Sequence, residues 1–527
     1  DLERLIDYAR VADITTTIKG HHDSIKLVIQ GYTPKMLDLL TLILNHIKEF
    51  VPSELHFATV KEKQLRELAN YVHKESDDYT YKWISYVHTT DGITVDEAVA
   101  ILEKLDLERL RGLVQRILQS FYTKILVVGN FEEVFALRVH EAVTETFKPQ
   151  PIVPADINPN RFLLQRKDRH IIHRRSPNES SPLSAVNHTI YCSSRINIED
   201  YAYLLLLTTL ADEKLYTMLR TNEAMGYVVY CTVLTATSER TGISFVVKSE
   251  CNPAYIQLRI DEFFRRFRED VLTNLSDDEF ESAVEAEIES CERPDTDIYE
   301  EFDTYARWIR AGVHLFDYRK QRVDVLHEAT REKLVSFWDE RLAPLQPERA
   351  PSLTAHVYSA MIRMPTLAER RVYPGTVIAL VGCLERDSIR GLDYRVVNDV
   401  VAGLRGEKCA AMDYIVRQFK DHLLSRYPSI NKDSLDKAFK SEESYSSVAL
   451  AAAIGSEFVK KQDPRGSRSS GESDIVFETP DGHYILEDHV AYRGLLVEAE
   501  PLSLASKYTA KYPEAAATDL DEDELGC

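Results

Sequence analysis

Hydrophobic residues in this chain alternate, then take helical spacing, and the succession occurs twice. In the first copy Ile25, Leu27 and Ile29 sit at every second position, the pattern of a strand with one buried face. They predict a hairpin over residues 14–18 and 24–29 that turns at Gly20-His21-His22-Asp23. Met36, Leu37, Leu40, Leu44 and Ile47 follow at helical spacing, with Thr33-Pro34 as the start signal. The second copy predicts its hairpin over residues 227–235 and 243–247, with Ile243, Phe245 and Val247 on one face. Asn252-Pro253 then opens a helix carrying Ile256, Ile260, Phe263, Phe264, Phe267 and Val271. A Thr or Asn cap followed by proline starts a helix for a physical reason. The cap side chain takes a first-turn N–H, and proline has no N–H to leave unpaired.

Both copies continue as several helices and end on a β-run, residues 124–128 in the first and 353–358 in the second. Ser276-Asp277-Asp278-Glu279 is a capping box opening one of these helices. Ahead of the second hairpin a strand over residues 188–196 and an apolar helix over 201–219 are expected. The first copy lacks this front portion, so Asp1 is expected to fall inside a domain. The fold class that follows is α+β, two repeated domains of antiparallel sheet plus helices.

The expected boundaries are residues 1–147 for the first copy, 148–160 for a linker and 161–365 for the second copy. The linker contains Lys148-Pro149-Gln150-Pro151-Ile152-Val153-Pro154. Residues 366–474 change pattern to helical stretches such as 387–404 and 409–424 and close on a polar run over 460–471, so they read as an insertion, helical then disordered. A hairpin over residues 475–505 returns to the second domain, and 506–527 is an acidic tail.

Composition narrows the partners. A chain of 527 residues has room for roughly three domains at about 150 residues each, and its 44% hydrophobic content can fill substantial cores. The formal net charge of -21 argues against nucleic acid, because phosphate contacts need clustered Lys and Arg. Peptides are easier partners. Seven scattered cysteines without a Cys-x-x-Cys pair suggest neither a disulfide framework nor a thiolate zinc site. With no run of 18 apolar residues and no secretory leader in view, no membrane partner and a cytoplasmic location are expected.

The chemistry concentrates in residues 219–229, Leu-Arg-Thr-Asn-Glu-Ala-Met-Gly-Tyr-Val-Val. This segment closes an apolar helix, turns at Gly226 and enters a hairpin at Tyr227, with Arg220 near the helix end. It resembles the substrate-clamping motif in the C-terminal half of the insulin-degrading-enzyme and pitrilysin-type family of inverzincin peptidases. Glu223, Gly226, Lys248-Ser249-Glu250 and Ala355-His356-Val357 also match, and the resemblance covers about residues 1–365, resuming weakly over 473–504. It makes residues 1–147 a partial third peptidase-like domain and 161–365 a fourth.

The resemblance implies a half that closes on an N-terminal half around a peptide-holding chamber, with that partner present in cis or in trans; a homodimer is also compatible with it. In this family the zinc cofactor is held by His-x-x-Glu-His plus a distant Glu in the N-terminal half. No such pentapeptide occurs among the 16 histidines here, so zinc is expected in the other half and not in this chain. Arg220 and Tyr227 are the candidate catalytic residues. Attack of zinc-bound hydroxide on a peptide carbonyl places negative charge on its oxygen, and a guanidinium plus a phenol O–H are donors suited to that place. The implied function is peptide hydrolysis by a zinc metalloendopeptidase, with little activity expected from this half alone. The rival reading is a non-catalytic scaffold or regulatory half, in which Tyr227 is an ordinary strand tyrosine and Arg220 a solvated helix-end cation.

Other clusters read more simply. His483, Glu487 and His489 would share one strand face, as metal ligands must, but polar residues on an exposed hairpin face explain them as well. His21-His22-Asp23 reads as a solvated turn. His140-Glu141 and His327-Glu328 lie on helices without a second His four residues away. The sequons at Asn178, Asn187 and Asn274 matter only in a secreted chain. Residues 277–303 hold 13 acids against Arg293, where the family tends to place polyphosphate-binding lysines; a solvated acidic face is the better reading.

Overall fold

The architecture is taken from a computed structural model. It describes residues 2–20, 24–32, 35–89, 92–150, 152, 163–164, 169–193, 197–235, 241–310, 316–342, 352–405, 411–455, 476–478, 484–486 and 497–498. The first region runs α1 (Leu2–Val11), β1 (Thr15–Gly20), β2 (Ile25–Gln30), α2 (Met36–Glu49), α3 (Glu54–Ala69), α4 (Ser76–His88), α5 (Val95–Lys104), α6 (Leu107–Gln119) and α7 (Glu133–Phe147). The second runs β3 (Leu163–Leu164), β4 (Arg169–Arg175), β5 (Ser184–Ser193), α8 (Ile198–Leu215), β6 (Val228–Thr235), β7 (Thr241–Ser249) and α9 (Pro253–Arg266). It continues as α10 (Asp277–Glu292), α11 (Ile298–Arg310), α12 (Tyr318–His327), α13 (Arg331–Phe337) and β8 (Ser352–Tyr358). Six helices follow: α14 (Leu367–Val372), α15 (Gly375–Arg386), α16 (Tyr394–Leu404), α17 (Met412–Arg426), α18 (Lys432–Ala438) and α19 (Tyr445–Gly455). Short strands β9 (Val476–Glu478), β10 (Tyr484–Leu486) and β11 (Val497–Glu498) close the described chain.

Both predicted hairpins form, β1–β2 in the first region and β6–β7 in the second. Asn252 caps α9 by accepting the N–H of Ala254, with Pro253 in the first turn, and Ser276 and Glu279 make the reciprocal capping box of α10. In the first copy α2 begins at Met36, and Thr33-Pro34 falls outside the described residues.

The second hairpin belongs to a seven-stranded sheet ordered β6-β7-β5-β8-β4-β10-β9, in which β4 runs parallel to both β8 and β10 and the other pairings are antiparallel. One face packs on α8 and α9 through Phe245, Val247, Ile256, Phe263 and Phe264, with Trp338 from the end of α13 in the same core. The opposite face is covered by α4 of the first region, whose Ile84 and Val87 meet Ile172, Tyr191, Leu353, Ala355 and Leu486. The two regions are therefore joined through a shared apolar layer, which water-exclusion favours at about 25 cal/mol per Å².

Three expectations are corrected. Residues 124–128 form no strand, because a β-run needs a neighbour and, among the described residues, the first region's sheet consists of β1 and β2. The helix expected over 201–219 ends as regular α-helix at Leu215 and winds wider over Tyr216–Asn222. Residues 366–455, read as an insertion, form six helices that do not pack as a separate body. Val377, Leu380, Val381 and Leu384 of α15, Val397 of α16, Phe419 of α17 and Leu450 of α19 lie in the same core as α8 and α9. Gly382 of α15 abuts Asn252 so closely that a Cβ there would lie 2.5 Å from its Nδ2. The change of sequence pattern marks a change from sheet to all-helical packing within one core.

Candidate functional site

The site is built where α8 ends. Its apolar positions Leu204, Leu207, Ala211 and Leu215 anchor the helix in the core, and Leu219 continues that anchor. The wider winding over Tyr216–Asn222, a device often found where a helix must re-aim a side chain, carries Arg220 outward. The chain then turns. The Glu223 N–H donates to the Met218 carbonyl at 3.1 Å, and the Met225 N–H to the Leu219 carbonyl at 2.9 Å. Ala224 takes a left-handed φ of 49°, a conformation costly for a residue with a Cβ and held by these neighbours. Met225 is buried and its carbonyl accepts the Ser249 hydroxyl at 2.5 Å.

Gly226 has a stricter reason. A Cβ at this position would lie 2.0 Å from the carbonyl oxygen of Lys248 on β7, so only glycine lets the two backbones meet. That close approach delivers Tyr227 to the mouth of the hairpin, 80% exposed.

Arg220 and Tyr227 are brought together. The guanidinium carbon of Arg220 lies 4.3 Å from the centroid of the Tyr227 ring and 4.6 Å from that of Tyr216, well inside the range of about 6 Å for cation–π attraction. The guanidinium thus lies beside two tyrosine rings, Arg220 half-buried and Tyr227 exposed. Such a pair can donate to a peptide carbonyl or carboxylate. Tyr216 was not singled out from sequence, though its spacing of four from Arg220 on a helix could have flagged it.

Behind the loop, Arg259 of α9 grips the Glu223 carboxylate through both Nε and Nη2 at 2.8 and 2.6 Å. The Tyr445 hydroxyl of α19 donates to the Glu223 carbonyl at 2.9 Å. Glu223, Arg259, Tyr445, Met218 and Asn222 line one side of a cleft of about 1380 Å³ between α9 and the helices of residues 366–455. On the other side of the hairpin, Lys248 meets Asp77 at 2.9 Å and Glu75 at 3.4 Å, both from the first region. Burial would depress the Lys248 ammonium, but these two carboxylates outweigh it and hold it above the ordinary lysine range. Nearby the hydroxyls of Tyr81 on α4 and Tyr230 on β6 are 3.1 Å apart.

The weaker clusters do not join this site. His140 and Glu141 ride on α7, His327 ends α12 with Glu328 as its cap, and His21, His22, Asp23, His483, Glu487 and His489 lie outside the described residues. Asn187 is buried within β5, its Oδ1 accepting from Thr189 and Ser244, so its sequon faces the interior. The acidic stretch over residues 277–303 carries ion pairs, Arg293 with Glu300 at 2.9 Å and Asp295 with Arg319 of α12 at 2.7 Å. Among the described residues no group of three or more His, Cys, Asp or Glu could hold a metal ion. No helix among them is long and apolar enough to cross a membrane.

Comparison with known proteins gives this geometry a context. Residues 1–101 match the model of the middle or third domain of peptidase M16, and residues 206–306 match that of the C-terminal lobe domain 4 of PQQ synthase PqqF-like proteins. The A-factor-processing enzyme of Saccharomyces cerevisiae is 23% identical over 355 residues, which cover 67% of this chain and 34% of the relative. Human insulin-degrading enzyme is 24% identical over 342 residues, covering 64% and 33%. The chain thus spans about a third of the length of the curated relatives it matches. Among solved structures, pitrilysin superposes with a TM-score of 0.61 at 18% identity, covering 68% of this chain and 37% of that one. A peptidase M16 inactive domain from Pseudomonas fluorescens gives 0.51 at 11% identity, covering 68% and 84%. These two likenesses show the fold. The chain's homologues are insulin-degrading enzyme and related M16 peptidases.

Proposed function

We propose that this chain, a homologue of insulin-degrading enzyme and other M16 peptidases, is the substrate-holding half of a metalloendopeptidase. One observation carries the reading. The Arg220 guanidinium lies within 4.6 Å of the ring centroids of both Tyr216 and Tyr227, beside a turn that Gly226 sets against β7, so two hydrogen-bond donors stand side by side before any peptide arrives. A fixed donor pair is worth more than a mobile one because no reorganisation is needed when charge develops on a bound carbonyl oxygen. The described residues fit no zinc site, so in this reading the zinc belongs to an N-terminal half, in cis or in trans, and the enzyme works in the cytoplasm on peptides enclosed between the halves.

The test begins with a quenched fluorescent peptide incubated with the chain alone, with zinc added and with chelator, and then with a zinc-bearing N-terminal half. Cleavage is expected only with both halves. Tyr227→Phe should lower turnover by roughly a hundredfold, the usual cost of one lost oxyanion donor, while leaving the fold intact. Unchanged turnover in that variant sinks the catalytic role of Tyr227.

A scaffold role is the alternative, favoured by the fold likeness to an M16 domain described as inactive. On that reading no zinc-bearing half restores cleavage, and Arg220→Ala changes neither peptide affinity nor turnover.

A further inference from the structure

The loop carrying Arg220 and Tyr227 is held from two directions, and one of them comes from helices where the resemblance to the peptidase family stops. Within the second domain, backbone bonds to Met218 and Leu219 and the Ser249 hydroxyl tie residues 223 and 225. The carbonyl of Glu223 turns the other way, to the Tyr445 hydroxyl of α19 at 2.9 Å, across 222 residues of sequence. The Glu223 carboxylate is clamped by Arg259, whose guanidinium is buried.

Tyr445 is itself immobilised. Its ring packs edge-on against Tyr255 of α9 at 5.2 Å, and the Arg386 guanidinium of α15 lies over it at 4.3 Å. The neighbouring Ser446 hydroxyl donates to Asp387 at 3.1 Å. Between Arg220 and Tyr227 the chain therefore passes through one residue whose carboxylate is fixed by α9 and whose carbonyl is fixed by α19.

We propose that α19 sets the position of the Arg220 and Tyr227 donors, with Tyr445, Glu223 and Arg259 as positioning residues that touch no substrate. The helices of residues 366–455 then act as a brace on the substrate loop. The consequence for function rests on the substrate-holding reading above; the structural coupling does not.

The experiment uses the full 527-residue chain with 3-fluorotyrosine placed at position 227, read by fluorine NMR, and a fluorescein-labelled unstructured peptide read by anisotropy. Tyr445→Phe keeps the ring packing and removes the hydroxyl. It should shift or broaden the fluorine line and raise the peptide Kd by about threefold to tenfold, the range for one neutral hydrogen bond. The thermal midpoint should stay within a few degrees. Arg259→Lys keeps the charge, loses the two-point grip, and should move the same line even if Tyr445→Phe proves unstable. Tyr373→Phe, in the same cleft but away from the loop, should leave line and Kd unchanged. A fluorine line unmoved by both Tyr445→Phe and Arg259→Lys overturns the brace. If the line moves but Arg220→Ala and Tyr227→Phe bind peptide as the parent does, the brace stands and the substrate-holding reading falls.

Discussion

The first hairpin and the second start from the same pattern and end in different surroundings. β6–β7 continues through β5 and β8 into a seven-stranded sheet, whereas β1–β2 stays a two-stranded ribbon. The second core contains Phe245, Phe263, Phe264, Phe267 and Trp338, all essentially inaccessible, while among the described residues the buried apolar side chains around the first region's hairpin and α2 are the aliphatic Ile14, Leu39, Ile43 and Leu44. Ile18 and Ile25 of the first ribbon remain exposed, as do Tyr8, Val11 and Tyr32 around it. A hairpin motif can therefore recur without its sheet, because strand pairing and face burial must be supplied by other segments. The segment with Arg220 and Tyr227 leads into the hairpin that has both.

Core truncation should separate the two regions most. Phe264→Ala removes a ring packed on Phe245 and Trp338 and should cost about 3–5 kcal/mol in urea unfolding. Leu27→Ala, on the half-buried first ribbon, should cost about 1–2 kcal/mol, and equal losses would mean that the first ribbon is buried as deeply as the second.

Glycine at the hairpins should come next. Gly226→Ala drives a Cβ into the Lys248 carbonyl and should cost about 1–3 kcal/mol, with Tyr227 displaced. Gly20→Ala has nothing within 4 Å and should fall within about 0.5 kcal/mol of the parent. Denaturant midpoints of the two variants measured together would decide it.

The smallest effect is electrostatic and lies between the regions. Because Asp77 and Glu75 raise the Lys248 pKa above its unfolded value, the stabilisation is fully present below pH 10.5 and is lost as pH rises through the folded value. Lys248→Met should flatten that alkaline loss, by at most about 1 kcal/mol for a partly solvated pair. Replacing Lys26 of the Lys26–Asp303 pair, 3.8 Å apart, should change stability by no more than about 0.5 kcal/mol. A stability-against-pH series from 8 to about 12, spanning the lysine range, checks both.

Arg220, Gly226 and Tyr227 were legible as a site because they fall within one short segment at a helix-to-hairpin junction, and their mutual approach follows from that local geometry. Tyr216 lies three residues before that segment, and an apolar-helix tyrosine carries no chemical signature of its own. Arg259 and Tyr445 could not be read at all, standing 36 and 222 residues from Glu223. Residues 366–455 were set apart because their periodicity changes, yet periodicity reports which faces are apolar and not which neighbour covers them.

By itself, the sequence determined the two hairpins and the caps of α9 and α10, because these depend on residues near one another in the chain. Only the tertiary structure decided that residues 124–128 form no strand while β8 joins a sheet, that α4 roofs the second region's sheet, and that α19 reaches back to the carbonyl of Glu223. Those outcomes turn on which distant surfaces meet. Strand pairing and burial acquire their free energy only when two such surfaces exclude water together.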